Sequence, residues 1–532
     1  MPGARLVVPQ ASAQVEIPVS GLANLPAEAY TLSQAGGGTI FVRGPGTYHA
    51  TATIAPAAKG AISKVDIVFD SGAQVVIDSG VTFPTSVTGS VNYTKLWDFS
   101  NCSNCIITGL NDTNNNPTST TTANAANSIT DVFIGGNASH LRFVDCYAKG
   151  FTRWQFYITG FSAGVTGLGT VDGPVDDILF IRPVGVNLGF YGTNPSATGD
   201  GGGLKIANNT GVVNPFAPVT NIGCRDPDWT NVYHSFLDVT LSCPTTDSFY
   251  TALGTSSATA IVNGNYWIDG GQGRMNAGVN SSVSQFGVWV ENMANWTTYA
   301  SPGRTVKVKN FVADMNSHGG TNDRAFNISN TMDDVLLESC EARNCIGTIG
   351  AGFALSSGTT AGQAARAGYG YTIRDCSTYN CGTQLYLNAK SGVNGSSFND
   401  VLVDGLTCQD GGFGNATLGV TLLTTATNFL RNVRIRNMDI THLAPGSQPL
   451  SFANFVNDPM ENSINFEQCP GITPLGGFPG NHPGINVYDT DLNWIGNKTI
   501  GVAASPATTL VYYMSPKMGV PSRRRQLERG RP

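Results

Sequence analysis

Charge is what this chain has least of. Asp, Glu, Lys and Arg together make up 12% of its 532 residues, and there are six histidines. With 30 basic against 36 acidic residues the net charge is −6, so the positive field that draws proteins to nucleic acid is missing. The single basic cluster, Ser522 to Arg525 with Arg529 and Arg531, lies at the C-terminal end and reads as a disordered extension. No apolar run approaches the roughly 20 residues that span a bilayer. The opening Met1 to Ala13 ends in an A-x-A-like pattern, but its apolar core, Leu6 to Val8, is too short for a signal peptide. The expectation is a chain that begins after processing, or one that leaves the cell another way, for instance by lysis as part of a phage particle. Helix-forming composition is scarce as well. The 64 glycines and abundant Asn, Thr and Ser fit turns, strands and polar ladders instead.

What is present is a repeat. Val335-Leu-Leu337-Glu-Ser-Cys340, Tyr371-Thr-Ile373-Arg-Asp-Cys376, Val401-Leu-Val403-Asp-Gly-Leu406, Val433-Arg-Ile435-Arg-Asn-Met438 and Ile464-Asn-Phe466-Glu-Gln-Cys469 share apolar residues at positions 1, 3 and 6, with starts 36, 30, 32 and 31 residues apart. Period-two alternation means a strand with one buried face, and the third apolar residue three places on means that the chain turns a corner. A second run precedes each copy: Phe326-Asn-Ile328, Phe353-Ala-Leu355, Leu385-Tyr-Leu387, Val420-Thr-Leu422 and Phe452-Ala-Asn-Phe455. One such unit cannot bury its apolar side. Stacked units can, with like residues over like at roughly 4.8 Å. The fold class is therefore all-β, a single-stranded parallel β-helix.

The same pattern occurs at Cys105-Ile107-Leu110, Leu141-Phe143-Cys146, Ile178-Phe180-Pro183 and Val306-Val308-Phe311, and becomes hard to place between 178 and 306. Cys146, Cys340, Cys376 and Cys469 all stand at position 6, where Leu110, Phe311, Leu406 and Met438 stand elsewhere. That equivalence marks them as small buried apolar residues. Three tracts interrupt the coil: Asp112 to Ala126, Asn187 to Gly202 and Asp269 to Ser284.

The stretch Gly36-Gly-Gly-Thr39-Ile-Phe-Val42, followed by Gly44-Pro-Gly-Thr-Tyr48, opens the first rung. With the Cys-ending rungs down to Cys469, it resembles the pectin-lyase-like right-handed parallel β-helix superfamily. That resemblance implies a short helix capping the coil, for which Ala27 to Ser33 is the candidate. The implied organisation is a lead-in and cap over 1–34, the β-helix over 35–469, a linker and small C-terminal β-tail over 470–520, and the basic end over 521–532. The family includes polysaccharide lyases, hydrolases, epimerases and phage tailspikes, so the implied partner is an extracellular or cell-surface polysaccharide. The implied location is outside the cell, secreted or on a virion. In tailspikes a small β-domain often trimerises, so a homotrimer is a further expectation. The family hydrolases' full set, Asn-Thr-Asp, Gly-His-Gly and Arg-Ile-Lys in order, is missing, which counts against a polygalacturonase.

Two chemistries compete for the irregular region from Arg153 to Arg324. A lyase needs Arg or Ca²⁺ to neutralise a uronate carboxylate and a base such as Lys, His or Tyr. Lys205 with Arg324, Arg153 or His318 would serve, and Ca²⁺ is the one cofactor in view. A hydrolase needs two carboxyl groups, about 5–5.5 Å apart for retention or about 6.5–9.5 Å for inversion. Asp200, Glu291 and Asp323 are its candidates. Trp154, Tyr157, Trp267, Trp289, Trp296 and Tyr386 offer flat faces on which sugars stack, and Lys205 and Trp289, each between two apolar residues, should point outward. Against these stand simpler readings: Asp200 and Asp323 as turn residues, Lys205 and Glu291 as solvated strand positions, and Asp176-Asp177, Asp333-Asp334 and Asn399-Asp400 as turn slots before a strand. A non-catalytic spike or adhesin is the rival from another class.

Overall fold

In a computed structural model of the protein, the chain winds through three long parallel sheets. The structure describes residues 13–81, 83, 86–88, 91–116, 129–165, 169–189, 201–207, 219–241, 265–277, 285–292, 305–317, 323–329, 334–347, 350–356, 367–390, 397–409, 418–425, 427–443, 447–451, 463–472, 485–488 and 494–497. Each turn of the coil contributes one strand to each sheet. Val335–Glu338 lies in the first sheet, Glu341–Arg343 in the second and Ala351–Ser356 in the third; Ala367–Arg374 then returns to the first. Register within the first sheet sets like positions side by side from rung to rung. Val335 lies beside Tyr371, Tyr371 beside Val401, Val401 beside Val433 and Val433 beside Ile464. The chain is a parallel β-helix, and its core is one continuous column of these inward residues.

The corner after the first sheet explains the 1-3-6 pattern. Position 5 adopts the left-handed conformation in successive rungs: Asp375 at φ 50°, Gly405 at 75°, Asn437 at 53° and Gln468 at 54°. One such residue reverses the alternation, so that position 6 faces inward where position 4 faced out. The conformation costs a non-glycine residue about 1 kcal/mol. Asp and Asn recur there because their short polar side chains tolerate it best. Asp177, Asp334 and Asp400 are left-handed too. Asp334 stands just before its strand, as expected, but Asp177 and Asp400 lie inside theirs, Val175–Ile181 and Ser397–Asp404, where they reverse the alternation locally. A further turn, after the second sheet, carries an asparagine ladder: Asn231 donates to Asn187, Asn276 to Asn231, and Asn380 to Asn344 at 2.9 Å.

Position 4 points outward and carries a second regularity. Down the first sheet, Arg225, Asp269, Lys309, Glu338, Arg374, Asp404, Arg436 and Glu467 lie side by side, one per rung, with strictly alternating sign. Glu338 meets Lys309 at 2.5 Å and Arg374 at 3.5 Å, and Arg436 meets Asp404 at 2.6 Å. The neighbouring cations hold the Glu338 and Asp404 carboxyls below their ordinary range.

Several details depart from the sequence reading. The coil begins before the glycine cluster, because Ala13–Pro18 already pairs in parallel with Gly38–Arg43. The helix runs over Leu25–Gln34 and buries Leu25, Ala29 and Leu32 at a helical spacing against the first rungs. Asn111–Asn114 and Gln272–Met275, assigned to interruptions, are strands of the second sheet. Leu450, not Phe452, lies beside Val420. At the far end Ile485–Tyr488 adds a parallel strand to the first sheet, and Trp494–Asn497 folds back antiparallel. The ten described cysteines are buried and unbridged. Inside the coil two carboxyl groups, Asp112 and Asp131, face each other, and the Trp97 indole N–H donates to Asp112 at 2.9 Å. Burial raises both, Asp112 to about 7, so that a proton is held between them.

Candidate functional site

Third-sheet strands alternate in the same way, and their outward residues form the candidate site. Leu204 and Ile206, Leu237 and Val239, Val288 and Val290, and Phe326 and Ile328 belong to the core. The residue between each pair points the other way. Register places Tyr157, Lys205, Asp238, Trp289, Asn327, Ala354 and Tyr386 in one column, one per rung. Six rung steps at about 4.8 Å make it about 29 Å long. Lys205 and Trp289 therefore point outward as expected, and Tyr157 and Tyr386 join them.

Lys205 is not a solvated strand position. Its ammonium is 2.7 Å from the Asp238 carboxylate on the next rung, with Asp238 1% exposed, and it lies 5.5 Å from the centre of the Trp154 ring. Lys95, further up the same face, is likewise buried against Asp98 at 2.7 Å and over the Phe133 ring at 3.9 Å. Each of these cations has its own buried counterion. Asp238 was not among the residues singled out from the sequence, although Leu237-Asp-Val239 repeats the apolar-polar-apolar form of Leu204-Lys-Ile206.

Arg324 is different. It is 9% exposed and donates through Nη1 to the Asn327 side-chain oxygen at 2.7 Å and to the Ser356 hydroxyl. Its guanidinium lies 5.0 Å from the Tyr386 ring centre and 5.9 Å from that of Phe286. Its Nε–H is buried with no hydrogen-bond acceptor, and among the described residues no carboxylate lies within ion-pair distance. Burial lowers its pKa from the ordinary value, while Tyr386 pulls the other way. The small residues Ala351 and Ala354 beside it belong to a separate apolar cluster with Tyr386 and Leu423. Burial also pushes up the Tyr386 hydroxyl, whose oxygen accepts from Asn388 Nδ2 at 3.3 Å.

Aromatic contacts link the two halves of the face. The His234 ring sits 6.4 Å from Trp154 and 5.6 Å from Trp289, and Trp289 is 4.7 Å from Phe286. Trp154 and Arg153 are both buried at the upper end. Asp323 is fully buried and accepts the Gln285 backbone N–H at 2.9 Å, so its carboxylate holds the entry to two strands. Glu291 lies in the third-sheet strand Phe286–Asn292, beside Thr240. Trp267 does not join this face, because its strand, Asn265–Asp269, belongs to the first sheet. Asp200, His318 and Trp296 lie outside the described residues. The facing carboxyls of Asp112 and Asp131 are sealed inside the coil, away from any substrate. Among the described residues no group of three or more His, Cys, Asp or Glu is placed to hold a metal.

No family model matches the chain, and no curated protein matches it. Solved structures do. An exopolygalacturonase from Thermotoga maritima aligns over 86% of this chain and 93% of its own, at 10% identity and a TM-score of 0.43. The mannuronan C-5 epimerase AlgE4 A-module of Azotobacter vinelandii aligns over 84% and 96%, at 11% identity and 0.41. ORF18 of Geobacillus virus E2 aligns over 86% of this chain but 62% of its own, at 12% and 0.41. The likeness is one of fold. No residue role is carried across it.

Proposed function

We propose that the protein binds and depolymerises an acidic extracellular or cell-surface polysaccharide along the outer face of the third sheet. Arg324 is the observation that carries this reading. Among the described residues it has no carboxylate partner, a buried cation without a counterion costs several kcal/mol, and Lys95 and Lys205 on the same face are paired. A sugar carboxylate would supply the missing charge, and guanidinium geometry suits a carboxylate with two parallel hydrogen bonds. Trp289, half-buried midway along the column, supports the same ligand class, since an indole face can stack a sugar ring.

Elimination is favoured over hydrolysis. Neutralising a uronate carboxylate acidifies the adjacent C–H, which is the first requirement of a lyase. In this step solvent water takes the proton from the acidified C–H as the C–O bond breaks, and the Tyr386 hydroxyl, kept protonated by burial beside Arg324, gives its proton to the leaving oxygen. Hydrolysis would require a pair of free carboxyl groups; among the described residues of this face Asp238 is held by Lys205 and Asp323 is fully buried. That same neutralisation favours the second reading, a glycan-binding spike without catalysis. A phage tailspike or a secreted enzyme, homotrimeric through its C-terminal region, fits either reading. The test is incubation with a panel of acidic and neutral bacterial polysaccharides. Ultraviolet absorbance from an unsaturated product supports the lyase, and new reducing ends without it indicate a hydrolase. Binding without either indicates the spike, and no binding at all removes the proposal.

A further inference from the structure

Trp267 stands on the first sheet, apart from the third-sheet column, and its surroundings are not those of a core residue. The outward residues beside it, rung by rung, are Leu179, Gly223 and then Trp267. A side chain on Gly223 would meet the indole: a Cβ there would sit 2.2 Å from Trp267 Cε2 and Cζ2. The ring therefore lies across the glycine backbone, flat against the sheet, and remains half-buried. Beside it is a cleft of about 420 Å³, whose rim carries Asp176, Asp177, Asn221 and Asn265. Asp176 accepts from Asn221 Nδ2 at 2.7 Å and from the Thr220 hydroxyl. Asp177 is held by His140 and Arg142, each at 2.7 Å.

We infer that this cleft is a second glycan-binding site, distinct from the third-sheet face, and that it takes an uncharged sugar ring. A pyranose has an apolar face of C–H groups and a rim of hydroxyls. The flat indole with Leu179 beside it matches the first. Carboxylate and amide groups, which accept and donate, match the second. Charges of both signs surround the indole: Asp176 lies on the rim, the Arg225 guanidinium is 5.9 Å from the Trp267 ring centre, and Lys307 is the outward residue on the next rung. No field of one sign selects a charged ligand here, in contrast to Arg324. The site stands on Trp267 and its cleft alone, and holds whether or not the third-sheet face is catalytic.

Affinity electrophoresis tests it, in gels containing galactomannan, β-glucan, arabinoxylan or mannan, with polygalacturonate and alginate alongside. The wild-type chain should be retarded by at least one neutral polymer, and Trp267→Ala should weaken that retardation about tenfold. Asn265→Arg, which fills the cleft from its rim and leaves the indole in place, should do the same. Arg324→Gln should leave it unchanged. Migration of the wild type unaffected by every neutral polymer would overturn the inference. So would equal retardation of the wild type and of folded Trp267→Ala or Asn265→Arg.

Discussion

The outer faces of the first and third sheets are built by the same coil and treat charge in opposite ways. On the first sheet, each cation from Lys309 to Arg436 lies between acids on the rungs above and below, part-exposed to water. Single pairs of that kind are worth little, about 0.2–1 kcal/mol. Their alternation does something else: a slip by one rung would set like charge against like, so the ladder favours one register. On the third sheet the cations are buried, and each depends on what sits beside it. Lys95 and Lys205 have aspartates, while Arg324 has two aromatic rings and two neutral oxygens. Among the described residues, the ladder cations Lys309, Arg374 and Arg436 of the first face all have acids beside them, whereas on the third face Arg324 has none.

The sharpest way to break this contrast is to remove a counterion from the buried face. Asp238→Ala removes the buried counterion of Lys205 and should cost about 3 kcal/mol in denaturant unfolding. If stability hardly changes, Lys205 is solvated and the face is not as described. Arg324→Met should have the opposite sign. Removing an uncompensated charge should leave stability equal or raise it by about 1 kcal/mol, while turnover of an acidic polysaccharide falls about 100-fold. A loss of both together would make Arg324 a structural residue.

Inside the coil, the Asp112–Asp131 pair gives a pH test. The folded protein holds a proton that the unfolded chain releases near the ordinary carboxylate range. Stability from this pair is therefore full at low pH and lost as pH rises toward and through about 7. Thermal melts should show a higher Tm at pH 5 than at pH 8, and Asp112→Asn should flatten that difference. The smallest effect belongs to the first face. Arg374→Glu sets three acids in a row with Glu338 and Asp404, and should destabilise by about 1 kcal/mol, less in high salt. A larger, salt-independent loss would mean that Arg374 acts through packing.

The coil was legible because hexads from Val335 to Cys469 repeat at nearly constant intervals. The alternating charges were in those hexads too, at Glu338, Arg374, Asp404, Arg436 and Glu467. They acquire meaning only once position 4 of one rung is known to touch position 4 of the next. Rungs at Ile178, Ile222, Tyr266 and Val306 were obscured because they start 44, 44 and 40 residues apart, longer than the later ones. The candidate site was half-legible. Local alternation showed which way Lys205 and Trp289 point. It did not pair Lys205 with Asp238, 33 positions on, or bring Arg324 to Tyr386, because those meetings depend on the lengths of the intervening loops. Trp267 was misplaced for the same reason, since its strand could not be assigned to a sheet.

One comparison of substrates goes to the centre of the account. An acidic polysaccharide that the protein turns over is chemically reduced at its carboxyl groups, and initial rates on native and reduced polymer are measured for the wild type and Arg324→Gln. The account predicts that the wild type strongly prefers the native polymer, and that the variant loses this preference by slowing on the native polymer alone. A preference that survives unchanged in the variant would contradict it.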